Sequence, residues 1–179
     1  MIIRHPARRR GGATTVEFVF VAIMLFMMLF GIFEYGRFLF MYHLTTNACR
    51  DGARFACVHT SGGTMPGEPA SITTADVQEV VRTGMFSGKS YGTGMCGMER
   101  QITSNWTSDC QVYSISQADL AATPPSLDPA GKPAWNAAPF NDKIAVRVTG
   151  TYKPVVPNLI GLPTSIDFKV LVLMSSEAN

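Results

Sequence analysis

The sequence predicts an α+β fold, in which a long N-terminal transmembrane helix continues into a small outer domain of antiparallel sheet plus helix. Three observations carry that prediction. A 21-residue apolar run extends from Ala13 to Phe33, a proline-free stretch continues it to Val58, and two late segments alternate apolar with polar residues. At 179 residues the chain has room for one modest domain with appendages. The expected division is a basic leader over 1–12, a transmembrane and juxtamembrane helix over 13–58, and an extracytoplasmic α+β domain over 59–179.

The anchor comes first. Ala13–Phe33 reads ATTVEFVFVAIMLFMMLFGIF and holds a single charge, Glu17. At 1.5 Å per residue such a helix is about 31 Å long, matching the hydrocarbon thickness of a bilayer. A cleavable secretory signal has a shorter apolar core followed by small residues, whereas Phe33-Glu34-Tyr35 follows here. The charge distribution adds an orientation. Arg4, Arg8, Arg9 and Arg10 put four positive charges into the first ten residues, although the whole chain is only +2. Cations beside an apolar span keep that end cytoplasmic, so residues from about 35 onward are expected outside. The remainder has no basic patch interleaved with aromatics, which argues against nucleic acid as a partner.

The helix is expected to outrun the membrane, over EYGRFLFMYHLTTNACRDGARFACV at 34–58. Glu34 and Arg37 are spaced to pair, as are Asp51 and Arg54, and Tyr35 and Tyr42 suit an interfacial aromatic belt. Ala48, Gly52 and Ala56 recur every four residues, with Cys49, Ala53 and Cys57 as an adjacent row. Two rows of small side chains admit a close neighbour. That neighbour is either another subunit's helix or the chain's own domain, and the sequence leaves both open.

Glu17 is the anomaly of the span, because a carboxylate in an apolar helix needs a partner or a role. Its setting is Arg8-Arg9-Arg10-Gly11-Gly12-Ala13-Thr14-Thr15-Val16-Glu17-Phe18. Basic residues, a glycine, four residues and then Glu-Phe opening an apolar helix resemble the prepilin-peptidase site of type IV pilin-like proteins. The resemblance implies cleavage between Gly12 and Ala13, and Glu17 as an assembly contact pairing with a neighbouring subunit's new amine. A second pattern is Glu34-Tyr35-Gly36-Arg37 followed by Leu44-Thr45-Thr46-Asn47-Ala48-Cys49-Arg50-Asp51-Gly52-Ala53-Arg54. It resembles the TadE-like family of the tight-adherence (Flp) pilus, with Cys49 standing where the family carries alanine. The implied fold is pilin-like, and the implied partners are a prepilin peptidase, other pilin-like subunits, an inner-membrane assembly platform and the lipid bilayer. The implied location is a bacterial inner membrane, crossed once. The alternative of another class is an uncleaved membrane-anchored module for binding or adhesion.

In the outer domain, 59–71 reads as a loop. Over 74–86, Val77, Val80, Val81 and Phe86 share a helical face, with Thr74 as the expected N-cap. A Gly/Ser loop is expected at 87–97 and a strand at about 110–116. Five prolines at 124, 125, 129, 133 and 139 predict an extended connector over 122–141. The clearest strands are 143–152 and 165–174. In the first, Ile144, Val146 and Val148 alternate with Ala145, Arg147 and Thr149, as in a half-buried strand.

Chemistry is sparse. Outside the cytoplasm, Cys96 and Cys110 can close a loop as a disulfide. The alternative is four buried thiols. Cys49 and Cys57 stand eight residues apart on one helix, about 12 Å along its axis, too far to bridge. Gly92-Thr93-Gly94-Met95-Cys96-Gly97 has the form of a dinucleotide fingerprint but lacks the strand before it. His5, His43 and His59 have no metal-ligand spacing, so no metal, cofactor or catalytic residue is assigned. The expectation is a structural protein rather than an enzyme.

Overall fold

A computed structural model describes residues 11–60, 71–92, 94–95, 106–155 and 163–176. Helix α1, Gly11–Val58, is one uninterrupted element of 48 residues. Its two halves differ in what surrounds them. In the first half the most apolar stretch has none of its residues buried, and Phe18, Met24 and Phe33 each stand more than two-thirds exposed. From Glu34 onward one side is buried, at Met41, Thr45, Ala48, Cys49, Ala53, Ala56 and Cys57. The change falls where the sequence changes from uniformly apolar to amphipathic, so the second half folds by burying one stripe.

Helix α2, Thr74–Thr83, packs on that stripe through Val77, Val80 and Val81. Its N-cap is Thr73, one residue before the expected Thr74. Thr73 and Asp76 form a capping box, in which each side chain satisfies the other's backbone N–H. The helix stops at Thr83, short of the expected 86, because Gly84 takes a left-handed conformation with φ 72° and its N–H closes on Val80. The expected loop then opens with a hairpin, β1 (Met85–Phe86) pairing with β2 (Lys89–Ser90). Its turn residues, Ser87 and Gly88, both have positive φ, which matches the twist of tight hairpins. Phe86 reaches the core from this hairpin and packs edge-on against Phe55.

The main sheet has the order β3-β4-β5, all antiparallel. Its strands are β3 (Trp106–Ile115), β4 (Lys143–Tyr152) and β5 (Ile166–Ser175). β3 begins four residues before the expected strand. The strands lie along α1, which packs on β4 and β5. Ten residues of strand span about 33 Å, and α1 from Glu34 to Val58 spans about 37 Å. Each end of the sheet therefore meets a different end of the buried half-helix. Tyr152 stands beside Glu34. At the other end, Ser176 Oγ lies 3.4 Å from the Thr60 hydroxyl.

The two faces of the sheet have different covers. Ile144, Val146, Val148 and Tyr152 join the core with α1 and α2. The opposite face was expected to be solvated, yet Ala145 is fully buried with Tyr113 and Ile115. The proline-rich segment folds over it. A short helix α3 (Gln117–Ala121), capped by Ser116, leads into that segment, and a 3-10 turn at Trp135–Ala137 follows. Tyr113 donates to the Leu127 carbonyl at 2.8 Å, Lys132 pairs with Asp119 at 2.5 Å, and Trp135 Nε1 donates to Thr74 Oγ1 at 3.1 Å. The connector thus covers the Ala145 end of this face and then rounds the β3 edge, so that Trp135 and Ala138 enter the core with α1 and α2. The rest of that face, with Asp109, Thr149, Thr151, Asp167 and Lys169, is an open depression of about 680 Å³ that Phe168 also lines.

Candidate assembly and anchoring site

Glu17 lies exposed on α1 among exposed Val16, Phe18, Val19 and Phe20. Among the described residues no ion-pair partner reaches it. Gly12 is in the first turn of α1, and a Cβ there would meet nothing within 4 Å. Ala13 is helical as well. Arg8, Arg9 and Arg10 lie outside the described residues.

Both small-residue rows are turned into the chain's own fold. Ala48, Ala56, Cys49 and Ala53 are fully inaccessible. Gly52 is where α2 comes closest, since a Cβ there would stand 2.2 Å from Val81 Cγ2. Of the two neighbours the sequence allowed, α2 and the sheet occupy this side. What faces outward along the same half-helix is His43, Asn47, Arg50 and Arg54. The glycines at 92 and 94 serve packing too. A Cβ on Gly92 would be 2.0 Å from Asp51 Oδ2, and Gly94, at φ 59°, lies against the Thr83 backbone. Thr93, Cys96 and Gly97 lie outside the described residues.

The junction between the exposed and buried halves of α1 is held by polar contacts that sequence reading found only in part. Glu34 is buried, and its Oε1 accepts from the Tyr152 hydroxyl and, at 3.1 Å, from the Val155 N–H. Arg37 has a nitrogen 3.9 Å from the same oxygen, donates from Nε to the Tyr152 hydroxyl at 3.1 Å, and stacks over the Tyr152 ring. Burial pushes the Tyr152 phenol up to about 12, reinforced by its bond to Glu34, with Arg37 opposing. The expected Glu34–Arg37 pair is therefore one side of a triangle closed by a strand residue.

Cys49 and Cys57 are buried on α1, and Cys110 is half-buried on β3. Burial pushes the Cys110 thiol up to about 12, with the charge of Asp109 adding to it. Cys96, its expected disulfide partner, lies outside the described residues. Among those described, no three His, Cys, Asp or Glu side chains cluster to hold a metal ion.

With this geometry in view, the comparisons with known proteins are specific to one segment. Residues 12–54 match the family described as TadE-like protein. This segment is TadE-like. It covers a little under a quarter of the chain and includes Glu17, the exposed span, the Glu34–Arg37 junction and the first two members of each small-residue row, Ala48 with Gly52 and Cys49 with Ala53. Neither the curated proteins nor the solved structures contain a match to the chain. The matched segment holds the one helix among the described residues that is long and apolar enough to cross a membrane.

Proposed function

We propose that this chain is a non-enzymatic, pilin-like membrane protein that assembles or primes a tight-adherence (Flp-type) pilus or a related secretion machine. The observation that carries the reading is Glu17. It is a lone carboxylate on the exposed apolar half of a TadE-like helix, unpaired among the described residues. Such a charge in lipid is expensive and calls for a partner from another chain. In this reading Arg8, Arg9 and Arg10 keep the N-terminus on the cytoplasmic side of a bacterial inner membrane. A prepilin peptidase hydrolyses the bond between Gly12 and Ala13. The ammonium group freed at Ala13 of one subunit then pairs with Glu17 of its neighbour, neutralising both charges and setting the axial register. The open surroundings of Gly12 fit access by a peptidase. Because the small-residue rows are used within the chain, contacts to other subunits and to the inner-membrane platform fall on the span and on the His43–Arg54 stripe. An oxidising outer compartment would also allow Cys96 to pair with Cys110.

Mass spectrometry of the mature N-terminus, in cells with an active prepilin peptidase, tests the processing. Ala13 is the expected first residue, and Met1 would overturn it. Fractionation of sheared pili from membranes then separates a filament subunit from a membrane-resident primer. One observation favours a second reading, an uncleaved anchored module for binding or adhesion. It is the open depression on the sheet between Asp109 and Lys169. An uncleaved chain that stays in the membrane fraction would support that module.

A further inference from the structure

The junction of α1 with the sheet also forms a cleft, lined by Phe30, Phe33, Gly36, Arg37 and Phe40 on α1 and by Val155 just beyond β4, with a volume of about 570 Å³. Three features bear on what fills it. The first is depth. Phe30 and Phe33 belong to the apolar run that crosses the bilayer, so the cleft is continuous with the lipid-facing surface. Val155 donates its N–H to Glu34, the residue directly after that run, and is thereby fixed at the level where the helix leaves hydrocarbon.

The second feature is chemistry. Phe33, Phe40 and Val155 are 74%, 60% and 55% exposed, and this apolar surface lies at one level on two separate elements. Of the polar groups at the same level, Glu34 and Tyr152 are bonded to each other, and Arg37, in the cleft wall with Glu34, donates to the Tyr152 hydroxyl. Lys153 is exposed beside Val155, as suits a cation at headgroup depth. No charged residue occurs in the sequence between Lys153 and Asp167. The third feature is Gly36, where a Cβ would meet nothing within 4 Å. The floor of the cleft is open because that position has no side chain.

We infer that this cleft takes phospholipid acyl chains from the leaflet nearest the domain, so that the folded domain rests on the same bilayer its helix crosses. The inference rests on the reading of α1 as a membrane span and adds a second lipid contact, on the domain itself. Two lipid contacts would fix the tilt of the sheet relative to the membrane, where a helix alone leaves the domain free to swing.

The test uses the full chain in vesicles of phosphatidylethanolamine and phosphatidylglycerol. The photo-crosslinking residue p-benzoylphenylalanine is placed at one position per variant and adducts are read by mass spectrometry. The positions are Val155 in the cleft, Met24 in the span, and exposed Phe140 on the connector. Lipid adducts at 155 comparable to those at 24, and several-fold above those at 140, are the expected result. Adducts at 24 without adducts at 155 would overturn the cleft assignment and leave the anchor standing. Adducts from 155 to a second copy of the chain would overturn it in favour of a protein occupant. Failure at both 24 and 155 would remove the membrane span itself, and with it this inference. A Gly36→Phe variant, which fills the cleft floor, should lower lipid adducts at 155 several-fold while leaving those at 24 unchanged.

Discussion

Tyr152, the last residue of β4, donates its phenolic hydrogen to the buried carboxyl of Glu34 on α1. The bond joins two residues 118 positions apart and ties the end of the sheet to the level where the helix emerges from its exposed apolar half. Tyr152→Phe keeps the ring and its packing on Phe38 but leaves a buried carboxyl short of one donor. Losing that donor costs about 1–3 kcal/mol. Denaturant unfolding of the detergent-solubilised protein should show a lower midpoint by that amount, with an unchanged slope.

The same bond has a signature in pH. The Tyr152 phenol is pushed up from 10.0 to about 12 in the folded chain, so between those values the unfolded chain has lost the proton that the folded one keeps. Stability from this group is complete below pH 10 and is lost as pH rises toward 12. Midpoints measured across that range should fall more steeply for the natural protein than for Tyr152→Phe. Parallel curves would show that the phenol is not the titrating group.

Two glycines of α1 make opposite predictions under one substitution. Gly36 has open space where a Cβ would go, so Gly36→Ala gains helix propensity of about 1 kcal/mol without a clash. Gly52→Ala gains the same propensity but drives a methyl to 2.2 Å from Val81 Cγ2, and overpacking a core costs about 1–3 kcal/mol. Thermal unfolding should rise slightly for the first and fall for the second. A fall in both would mean that Gly36 is also in close contact, contrary to the geometry.

The Cys110 thiol, raised to about 12 by burial and then by Asp109, should stay protonated where an ordinary thiol ionises. In protein reduced beforehand and kept folded, its alkylation by iodoacetamide should be slow at both pH 7 and pH 9, because the thiolate is a minute fraction at either pH. An exposed thiol of pKa about 8.5 is mostly ionised at pH 9 and would react there roughly hundreds of times faster. In denaturant Cys110 should follow the exposed pattern. Rapid labelling of the folded protein would contradict its burial.

The long elements were legible because each carries its own period. The apolar run, the small-residue rows and the alternation in β4 report helix or strand from neighbours a few positions away. What escaped depends on partners far along the chain. Ala145 reads as solvent-facing in a two-periodic strand, and it is buried because the proline-rich segment lies over it, a placement fixed by contacts such as Tyr113 with Leu127. The end of α2 moved because one left-handed glycine outweighs an apolar Phe86 in register with the helical face. Glu34 showed its nearby Arg37 in the sequence, but nothing local marked Tyr152 as the donor. For Glu17 the sequence supplied the anomaly, and the fold adds that no described residue of the chain resolves it.

That leaves Glu17 itself, where charge and size can be separated. Glu17→Ala removes a carboxylate from an otherwise apolar helix, which lowers the cost of the span in lipid. Membrane fractionation should therefore find at least as much protein inserted as before. Under the proposed processing and pairing, assembly should fail, because the neighbouring subunit's amine at Ala13 would be left without its counter-charge. Glu17→Gln sharpens the point, since it preserves shape and hydrogen bonding while removing the charge. If register depends on the ion pair, both variants should give cells with sheared pili greatly reduced and mature protein retained in the membrane. Restored piliation in Glu17→Gln but not Glu17→Ala would assign the contact to hydrogen bonding, and unchanged piliation in both would remove Glu17 from assembly altogether.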